Sequence, residues 1–360
     1  MKKKLLLIGG GHAHLYLMKK LQEEELDVEV SVISPSEYQF YSGMFSGYIE
    51  GLYNFENIRI HIPTLAEKAN ISFIKGAALS IDAKAKVVLT EKGDIVSYDI
   101  LSIDIGSYSG GVDVPGVRQH ALRIKPTYRI EEVASTMWEA EDPVVIGGGA
   151  AGIEMALSLH AKRKAEGKTP VTLVTQSTLL AEEDEKTQAK IEQIAREKGL
   201  NVHQNEKVSN VTSLSIVTSN GNQIKYDQLL WLTGPKAPGI FQTSKLPVDD
   251  KGYLLVEDTL QVKEYPAIFA AGDCASLRAY PNLPKSGVIA VRQSEVLWNN
   301  IKGYIKGEDG IRFQPKGKYL SILSTGNKEG LLLYGKVSLH HHFSWKLKNK
   351  IDRRFMDNYQ

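Results

Sequence analysis

The sequence contains a single cysteine, Cys274, among its 360 residues. One thiol cannot form an intramolecular disulfide, a cysteine-based zinc site or a redox pair of cysteines. The sequence also has no large excess of charge of either sign, because 44 Lys and Arg nearly balance 42 Asp and Glu. A net charge of +2 provides no basic field, so the sequence predicts no nucleic-acid partner.

Long hydrophobic runs are also missing, and nothing approaches the roughly 20 apolar residues that span a bilayer. Near its start the chain carries three lysines and the apolar run Leu5 to Ile8, which stops at Gly9. That run is too short for the core of a signal peptide, so we expect a soluble protein of the cytoplasm. With 42% hydrophobic residues, the chain has enough material for two or three domains.

The first glycine cluster follows directly on that apolar run and precedes a helical pattern. A strand, a glycine turn and a helix in this order are typical of a dinucleotide-binding unit. Gly9 can adopt backbone angles closed to other residues, and Gly11 lacks a side chain that would block a phosphate. We expect Gly9, Gly11, His12 and Ala13 to contact a coenzyme. The third glycine of the pattern is replaced by His14, so this unit alone is a weak signal.

A second and complete glycine pattern follows the apolar run from Val144 to Ile146, and an apolar helical segment comes next. Two such units in one chain predict two nucleotides and an α/β fold with two Rossmann-like dinucleotide-binding domains. The residues expected to bind the second dinucleotide are Gly147, Gly149, Ala150, Ala151 and Gly152.

Both units lack the acid that usually ends the second strand and binds the adenosine ribose. Ser34 follows that strand in the first unit and Thr175 in the second. Because Thr175 carries no charge that would repel a 2′-phosphate, the sequence does not choose between NADH and NADPH. Both residues are still expected to contact their coenzymes.

A third element lies far along the chain, where an apolar run from Tyr265 ends in Gly272 and Asp273. Asp273 at a strand end can accept a hydrogen bond from a polyol hydroxyl, and Gly272 allows the backbone to approach a cofactor. Alone, such an aspartate is more often a helix cap or a turn residue. Beside two dinucleotide turns, it predicts a further contact with a coenzyme.

Together these segments resemble the two-dinucleotide flavoproteins of the pyridine nucleotide-disulfide oxidoreductase superfamily. Within it the sequence is most similar to type II NADH dehydrogenases, above all to the flavoprotein module found fused to selenide, water dikinase. The segments that carry the resemblance are Gly9 to Leu15, Ser34 with Pro35, Tyr41 to Met44, Leu101 to Ser107, Lys125 with Pro126, Phe269 to Cys274, Pro284 to Gln293, Tyr319 to Gly326, and Ile351 to Met356.

This resemblance implies FAD at the first turn and NAD(P)H at the second. It implies a discontinuous FAD-binding domain of residues 1–112 and 245–310, an inserted NAD(P)H-binding domain of residues 120–238, and a C-terminal α/β cap of residues 311–360. The further contacts that it implies are Tyr41, Ser42, Gly106, Ser286 and Gly287 for FAD, and Gly234 for NAD(P)H.

Two stacked coenzymes imply an oxidoreductase in which hydride passes from nicotinamide to flavin and electrons then reach a quinone or another small carrier. With Cys274 alone, no redox disulfide takes part. Glu154 matches an acidic position between nicotinamide and flavin, although an acid in a first helical turn also opposes the helix dipole. Lys285 would stabilise the anionic reduced flavin, and a plain surface lysine is the competing interpretation.

The C-terminal segment spaces Phe343, Leu347, Ile351 and Phe355 four residues apart among lysines and arginines. The spacing predicts an amphipathic helix that lies on an anionic membrane or packs on the FAD-binding domain.

Neighbouring histidines at 340–342 point in different directions, so we predict no metal site. If the C-terminal helix lies on a membrane, the protein is located at the inner face of the membrane rather than free in the cytoplasm. The sequence leaves open whether the protein forms a homodimer. The alternative function is a flavoprotein partner or redox sensor linked to selenium metabolism.

Overall fold

Helices and strands alternate along most of the chain, and the computed structural model describes residues 2–315 and 317–360. The α-helices are α1 (His12–Glu23), α2 (Phe45–Glu50), α3 (Ile62–Lys68), α4 (Val117–His120), α5 (Ile130–Glu139), α6 (Ala150–Ala165), α7 (Glu185–Lys198), α8 (Ile240–Thr243), α9 (Gly287–Lys306) and α10 (His342–Asp357). Short 3₁₀ helices cover Ser42–Met44, Phe55–Ile58, Thr127–Arg129 and Gly272–Cys274.

Strands of the three sheets that frame the molecule are β1 (Lys3–Ile8), β2 (Val28–Ser34), β3 (Ser72–Lys75), β4 (Ile100–Ile103), β5 (Pro143–Ile146), β6 (Thr172–Val174), β7 (Asn201–His203), β8 (Gln228–Trp231), β9 (Gln261–Val262), β10 (Tyr265–Ala270), β11 (Ser321–Gly326), β12 (Glu329–Tyr334) and β13 (Val337–His341). The remaining short strands are Tyr38–Phe40, Arg59–His61, Ala78–Asp82, Val87–Thr90, Ile95–Ser97, Tyr108–Ser109, Val208–Val211, Ser215–Thr218, Gln223–Lys225, Pro235–Lys236, Leu254–Val256 and Ala275–Leu277.

The first sheet has the order β9-β10-β4-β1-β2-β3, and all its strands are parallel except β9. Leu5 to Ile8 are buried, and so is the whole of β4. Continuous apolar runs of this kind suit parallel strands, because helices cover both faces of the sheet. Helix α1 packs against α9 on this sheet, which brings the two helix starts close together.

The second sheet has the order β7-β6-β5-β8 and is parallel throughout. Its strands come from residues 143–231, between β4 and β10 of the first sheet. This arrangement confirms the predicted α/β class with one Rossmann-type unit inserted in another. The domain limits given above, at 112, 120, 238, 245 and 310, stay predictions.

Strands β11, β12 and β13 form an antiparallel meander, and α10 packs on β12. The packing face of α10 differs from the predicted apolar stripe. Asp352 and Met356 are buried, whereas Phe343 is 60% exposed and Ile351 is 44% exposed. Phe355 of the stripe turns inward, where it stacks on Tyr41, and Leu347 is half-buried. The helix therefore contacts the body of the protein through a partly polar face and keeps apolar side chains outside.

Candidate active site

The first glycine turn lies tightly against the end of β4. Gly9 has a φ of +92°, a left-handed value that suits glycine, and its N–H donates to the Ile33 carbonyl at 2.8 Å. A Cβ atom at Gly9 would lie 2.2 Å from the Asp104 carbonyl oxygen. The glycine is thus required by the neighbouring backbone, whether or not a coenzyme is bound.

The second turn has the same framework. Gly147 has a φ of +134° and donates to the Val174 carbonyl at 2.9 Å, and its Cβ would lie 2.2 Å from the Leu232 carbonyl oxygen. A Cβ at Gly152 would lie 2.0 Å from the Gly147 carbonyl oxygen. The last glycine of the pattern therefore allows α6 to pack directly on the turn.

His14 takes the place of that last glycine in the first turn. Its Nδ1 atom lies 2.6 Å from the Gly9 carbonyl oxygen, and its Nε2 atom lies 2.8 Å from the Ser102 hydroxyl. Burial lowers the pKa of His14 to about 4, so the ring is neutral at pH 7. A hydrogen-bonded imidazole thus replaces a backbone contact, which explains how the pattern tolerates a histidine.

Three of the glycines predicted at the coenzymes border open space. A Cβ at Gly106, Gly149 or Gly234 would meet no heavy atom within 4 Å. Ala150 and Ala151 are exposed at the start of α6, where backbone N–H groups and the helix dipole favour a phosphate. The residues present here fit one dinucleotide at each glycine turn, with Gly106 beside the first and Gly149 and Gly234 beside the second.

Asp273 forms a small charged cluster at the end of β10. Its Oδ2 atom accepts from the Ser107 hydroxyl at 3.1 Å and from the Lys125 ammonium at 3.2 Å. Lys125 also donates to the Ser107 hydroxyl at 2.6 Å. The sequence marked Lys125 only as part of a family segment, and its place beside Asp273 depends on a contact across 148 residues.

Gln293 holds the turn that precedes Asp273. Its side-chain Oε1 accepts from the Gly272 N–H at 2.7 Å, and the glutamine is buried in α9. Gly272 has a φ of +72°, so this turn needs both a glycine and an internal acceptor. Gln293 therefore positions the backbone where the ribityl chain of a flavin is expected.

The start of α1, the start of α9 and the inner face of α10 meet at a cluster of aromatic rings. The ring of His12 lies 5.6 Å from that of Tyr41 and 5.4 Å from that of Phe355, and the last two stack at 4.3 Å. A Cβ at Gly287 would lie 3.5 Å from His12 Nε2, so His12 borders the start of α9, whose N-cap is Ser286. Burial lowers the pKa of His12 to about 4.

Lys285 precedes α9 but is held by other protein groups. Its ammonium donates to the Ala275 carbonyl and lies 4.3 Å from the centre of the Tyr253 ring. Burial lowers the pKa of Lys285. These contacts differ from the plain surface lysine considered above, and a direct role of Lys285 towards the flavin stays a prediction.

Glu154 lies where α6 meets α2 and β11. Its Oε1 atom accepts from the Ser324 N–H at 2.7 Å and from the Ser46 hydroxyl at 3.4 Å. Burial raises the pKa of Glu154, because the charged form loses its hydration. The carboxyl is therefore a group that can hold a proton closer to neutral pH than an exposed glutamate.

Helix α10 brings a lysine and an aspartate to the same region. Lys348 donates to Asp352 Oδ2 at 2.7 Å and to the Gly43 carbonyl, and the Tyr41 hydroxyl donates to Asp352 Oδ1 at 3.1 Å. Burial opposes the charge of Lys348, but Asp352 and Glu154 outweigh it and raise its pKa. The i, i+4 spacing of Lys348 and Asp352 was the sequence signal for this pair, and the predicted apolar stripe did not include it.

Ser34, Ser42 and Thr175 lie at element ends, as their positions in the sequence suggested. The Ser34 hydroxyl donates to the Ser36 carbonyl at 2.8 Å, and Ser42 begins a 3₁₀ helix. The Thr175 hydroxyl lies beneath the second turn, since a Cβ at Gly148 would meet it at 2.3 Å. Their coenzyme contacts stay predictions.

Cys274 is fully buried, and its thiol donates to the Ala271 carbonyl at 3.2 Å. Burial raises its pKa to about 12, so the thiolate is not available at neutral pH. Across residues 2–315 and 317–360, no three potential metal ligands come together, and no helix is both long and apolar enough to cross a membrane.

These features define an oxidoreductase with two dinucleotide-binding units and no pair of cysteines. The sequence pattern described as "Pyridine nucleotide-disulphide oxidoreductase" matches residues 3–294, and the chain belongs to this family. Membership confirms the predicted superfamily, its coenzymes FAD and NAD(P)H, and an oxidoreductase activity of the NADH dehydrogenase kind.

Relatives of known name span nearly the whole chain. A probable NADH dehydrogenase of Dictyostelium discoideum is 24% identical, over 91% of this chain and 80% of its own length. A type II NADH:quinone oxidoreductase of Staphylococcus aureus is 24% identical, over 93% of this chain and 90% of its own length.

Solved structures show the same fold. The NDH2 of Plasmodium falciparum, determined with NADH, superposes with a TM-score of 0.86 at 16% identity, over 99% of this chain and 97% of its own. The sulfide:quinone oxidoreductase of Aquifex aeolicus gives a TM-score of 0.83 at 20% identity, over 99% of this chain and 92% of its own.

Proposed function

We propose that the protein is an NAD(P)H:quinone oxidoreductase that works without a redox disulfide. The observation that supports this is the buried polar cluster of Glu154, Lys348, Asp352 and Tyr41, which lies between the two dinucleotide units and the terminal helix. A relative of similar length is named a type II NADH:quinone oxidoreductase, which supports the same acceptor.

Each coenzyme has residues placed to hold it. At the second turn, Ala150 and Ala151 present the N–H groups of α6 to the phosphates of NAD(P)H. At the first, Gly106 leaves space for FAD, and Lys125 orients Asp273 towards a polyol hydroxyl. When bound, the flavin accepts two electrons from the nicotinamide and passes them to a second acceptor.

The buried cluster can supply a proton that quinone reduction requires. Reduction of a quinone to a quinol takes two electrons and two protons, whereas a reduced nicotinamide delivers two electrons with one proton. The second proton has to come from solvent. Glu154 can hold it because burial raises its pKa, and the Lys348 ammonium beside Asp352 is a second protonated group in the same cluster.

Replacing Glu154 by glutamine tests this assignment. We expect E154Q to lower the steady-state rate of quinone reduction by about 100-fold, because a positioned proton donor typically contributes that much. Anaerobic bleaching of the flavin by NADH should continue at nearly its normal rate, since that step needs no proton from Glu154. Rapid mixing and a quinone assay give the two rates separately.

Glu166 provides the matched control at the other end of α6. It is exposed at the surface and pairs with Lys162 at 2.6 Å, so E166Q should leave both rates unchanged. Equal losses of both rates in E154Q would contradict the proton role. If neither NADH nor NADPH bleached the flavin of the normal protein, the redox-sensor alternative would replace the proposed enzyme.

The outer face of α10 suits an anionic membrane surface, where a quinone is found. Phe343 and Ile351 are exposed there, and Lys346, Lys350 and Arg353 flank them. Apolar side chains that enter the interface beside basic groups are typical of helices that lie on membranes. We therefore include peripheral membrane contact through α10 in the proposal.

Flotation with vesicles that contain anionic lipid tests this contact. I351D should remove most of the bound fraction, because it places a charge in the apolar stripe. Ile95 is 72% exposed on a different part of the protein, so I95D is the matched control and should float like the normal chain. Equal flotation of the two variants would remove the membrane contact from the proposal.

A further inference from the structure

Asp104 lies beside the first glycine turn and the start of α1, where the diphosphate of the first coenzyme is expected. It follows β4, and its Oδ2 atom accepts from the Ala13 N–H at 2.8 Å and the His14 N–H at 3.3 Å. Its main-chain oxygen accepts from the Gly11 N–H at 3.2 Å. A carboxylate of the protein thus already accepts hydrogen bonds from N–H groups at the start of α1. These are the groups through which the start of a helix binds an anion.

Two glycines make room for this side chain. A Cβ at Gly11 would lie 2.2 Å from the Asp104 carboxyl, and a Cβ at Gly272 would lie 2.7 Å from Asp104 Oδ1. The carboxyl is therefore enclosed between the start of α1 and the turn before Asp273. It is 3% exposed, so it cannot turn away into solvent without moving one of these two turns.

No positive side chain balances the charge of Asp104 among the groups that face it. From α1, His12 and His14 are neutral, because burial lowers the pKa of each to about 4. From the turn after β10, Asp273 has the same sign as Asp104, and it is paired with Lys125.

The remaining neighbours of Asp104 carry no charge at neutral pH. Cys274 is a thiol whose pKa burial raises to about 12, Ser102 lies on β4, and Gln293 reaches Gly272 from α9. Burial, with Asp273 in support, raises the pKa of Asp104 to about 7, against the opposing hydrogen bonds from Ala13 and His14.

We propose that Asp104 couples FAD binding at the first turn to the uptake of one proton from solvent. Without FAD the carboxylate stabilises the start of α1. When the two negative charges of the diphosphate lie beside it, the carboxyl binds a proton, keeps its place between the two turns and no longer repels the coenzyme. This inference rests on the FAD site but not on the identity of the electron acceptor.

Proton uptake makes a quantitative prediction for the full-length holoprotein. Above pH 7 the dissociation constant of FAD should rise by up to tenfold per pH unit, because one proton is bound with each coenzyme. Dilution at pH 6 to 9, with the rise of free flavin fluorescence as the readout, gives this constant. Calorimetry in two buffers with different heats of ionisation counts the protons, and we expect about one per FAD at pH 8.

The variant D104N should bind FAD with little dependence on pH and more tightly than the normal protein at pH 9. Asp99, at the opposite end of β4, accepts from the Lys4 N–H at 2.8 Å and is exposed. D99N is therefore the matched control and should keep the pH dependence of the normal protein.

An FAD affinity that is flat from pH 6 to 9, or a D104N variant with the normal slope, would overturn the coupling. Calorimetry of the normal protein decides the question even if D104N does not fold. If no proton is taken up when FAD binds, that result also contradicts the coupling. Failure of quinone reduction would affect only the proposed function, because none of these measurements involves an acceptor.

Discussion

The two glycine turns share one backbone framework and differ in chemistry. In each, a left-handed glycine lies against the residue that follows a parallel strand, Asp104 for Gly9 and Leu232 for Gly147. The N–H groups of those two residues donate to equivalent carbonyls, of Ile8 and Ile146, at 2.9 and 2.8 Å. The framework therefore does not determine the charge that a coenzyme meets.

The two turns differ in the residues at two equivalent positions. The first turn has a carboxyl at Asp104 and an imidazole at His14, whereas the second has Leu232 and Gly152 in their places. The first turn is thus partly filled and hydrogen-bonded by the protein itself, and the second is exposed at Gly149. A dinucleotide pattern indicates a place for phosphate, while the residue after the neighbouring strand sets the electrostatic conditions of binding.

The largest effect is expected where the second turn cannot accept a side chain. In G152A the new methyl would lie 2.0 Å from the Gly147 carbonyl oxygen, so α6 must shift away from the turn. We expect a loss of about 3 kcal/mol in the free energy of unfolding, and NADH binding weakened at least about tenfold. Urea unfolding and anaerobic NADH titration measure the two effects.

Gly149 in the same turn is the control for that variant. A Cβ there meets no heavy atom within 4 Å, so G149A should unfold like the normal protein while NADH binding weakens. If G152A were as stable as G149A, the two turns would not differ in the way their atoms pack.

A smaller effect is expected from the imidazole of the first turn. Unfolded His14 takes up a proton below its ordinary pKa of 6.5, but folded His14 stays neutral down to about 4. Unfolding therefore binds a proton in this window, and stability is lost as the pH falls from 6.5 to 4. At pH 5 the loss due to His14 should be on the order of 2 kcal/mol.

The pH dependence of H14N separates this contribution from those of other groups. We expect the variant to be less stable at pH 7.5, because the hydrogen bonds of the ring change, and its unfolding free energy should fall less steeply between pH 7.5 and 5. Parallel curves for H14N and the normal protein would show that His14 is not the neutral group described. The second turn, with Gly152 at this position, has no counterpart that could titrate.

The smallest effect is expected from moving the acid of the first turn into the second. L232D places a carboxyl at the position equivalent to Asp104, and we expect NADH to bind about tenfold more weakly at pH 8. The neutral variant L232N carries the same change in shape and should bind NADH more tightly than L232D. Equal NADH affinities in the two variants would show that position 232 has no electrostatic effect on the coenzyme.

Local patterns were sufficient to predict both glycine turns, since each strand, turn and helix is contiguous in the chain. They could not reveal that Asp104 caps α1, because the contact with Ala13 spans 91 residues. The sequence showed Lys348 only as one of the basic residues around the apolar stripe, for a related reason. Its partners Gly43 and Glu154 lie about 200 to 300 residues away, and only the fold shows that they are neighbours.

The position of β10 in the first sheet has a consequence for the order of folding. Leu101 of β4 pairs with Ile268 of β10, whereas the second sheet uses only residues between them. The compact inserted unit can therefore form early, while one edge of β4 waits for a distant partner. Until that partner arrives, the unpaired edge is open to other chains, so the first sheet is where refolding at high concentration should produce aggregates.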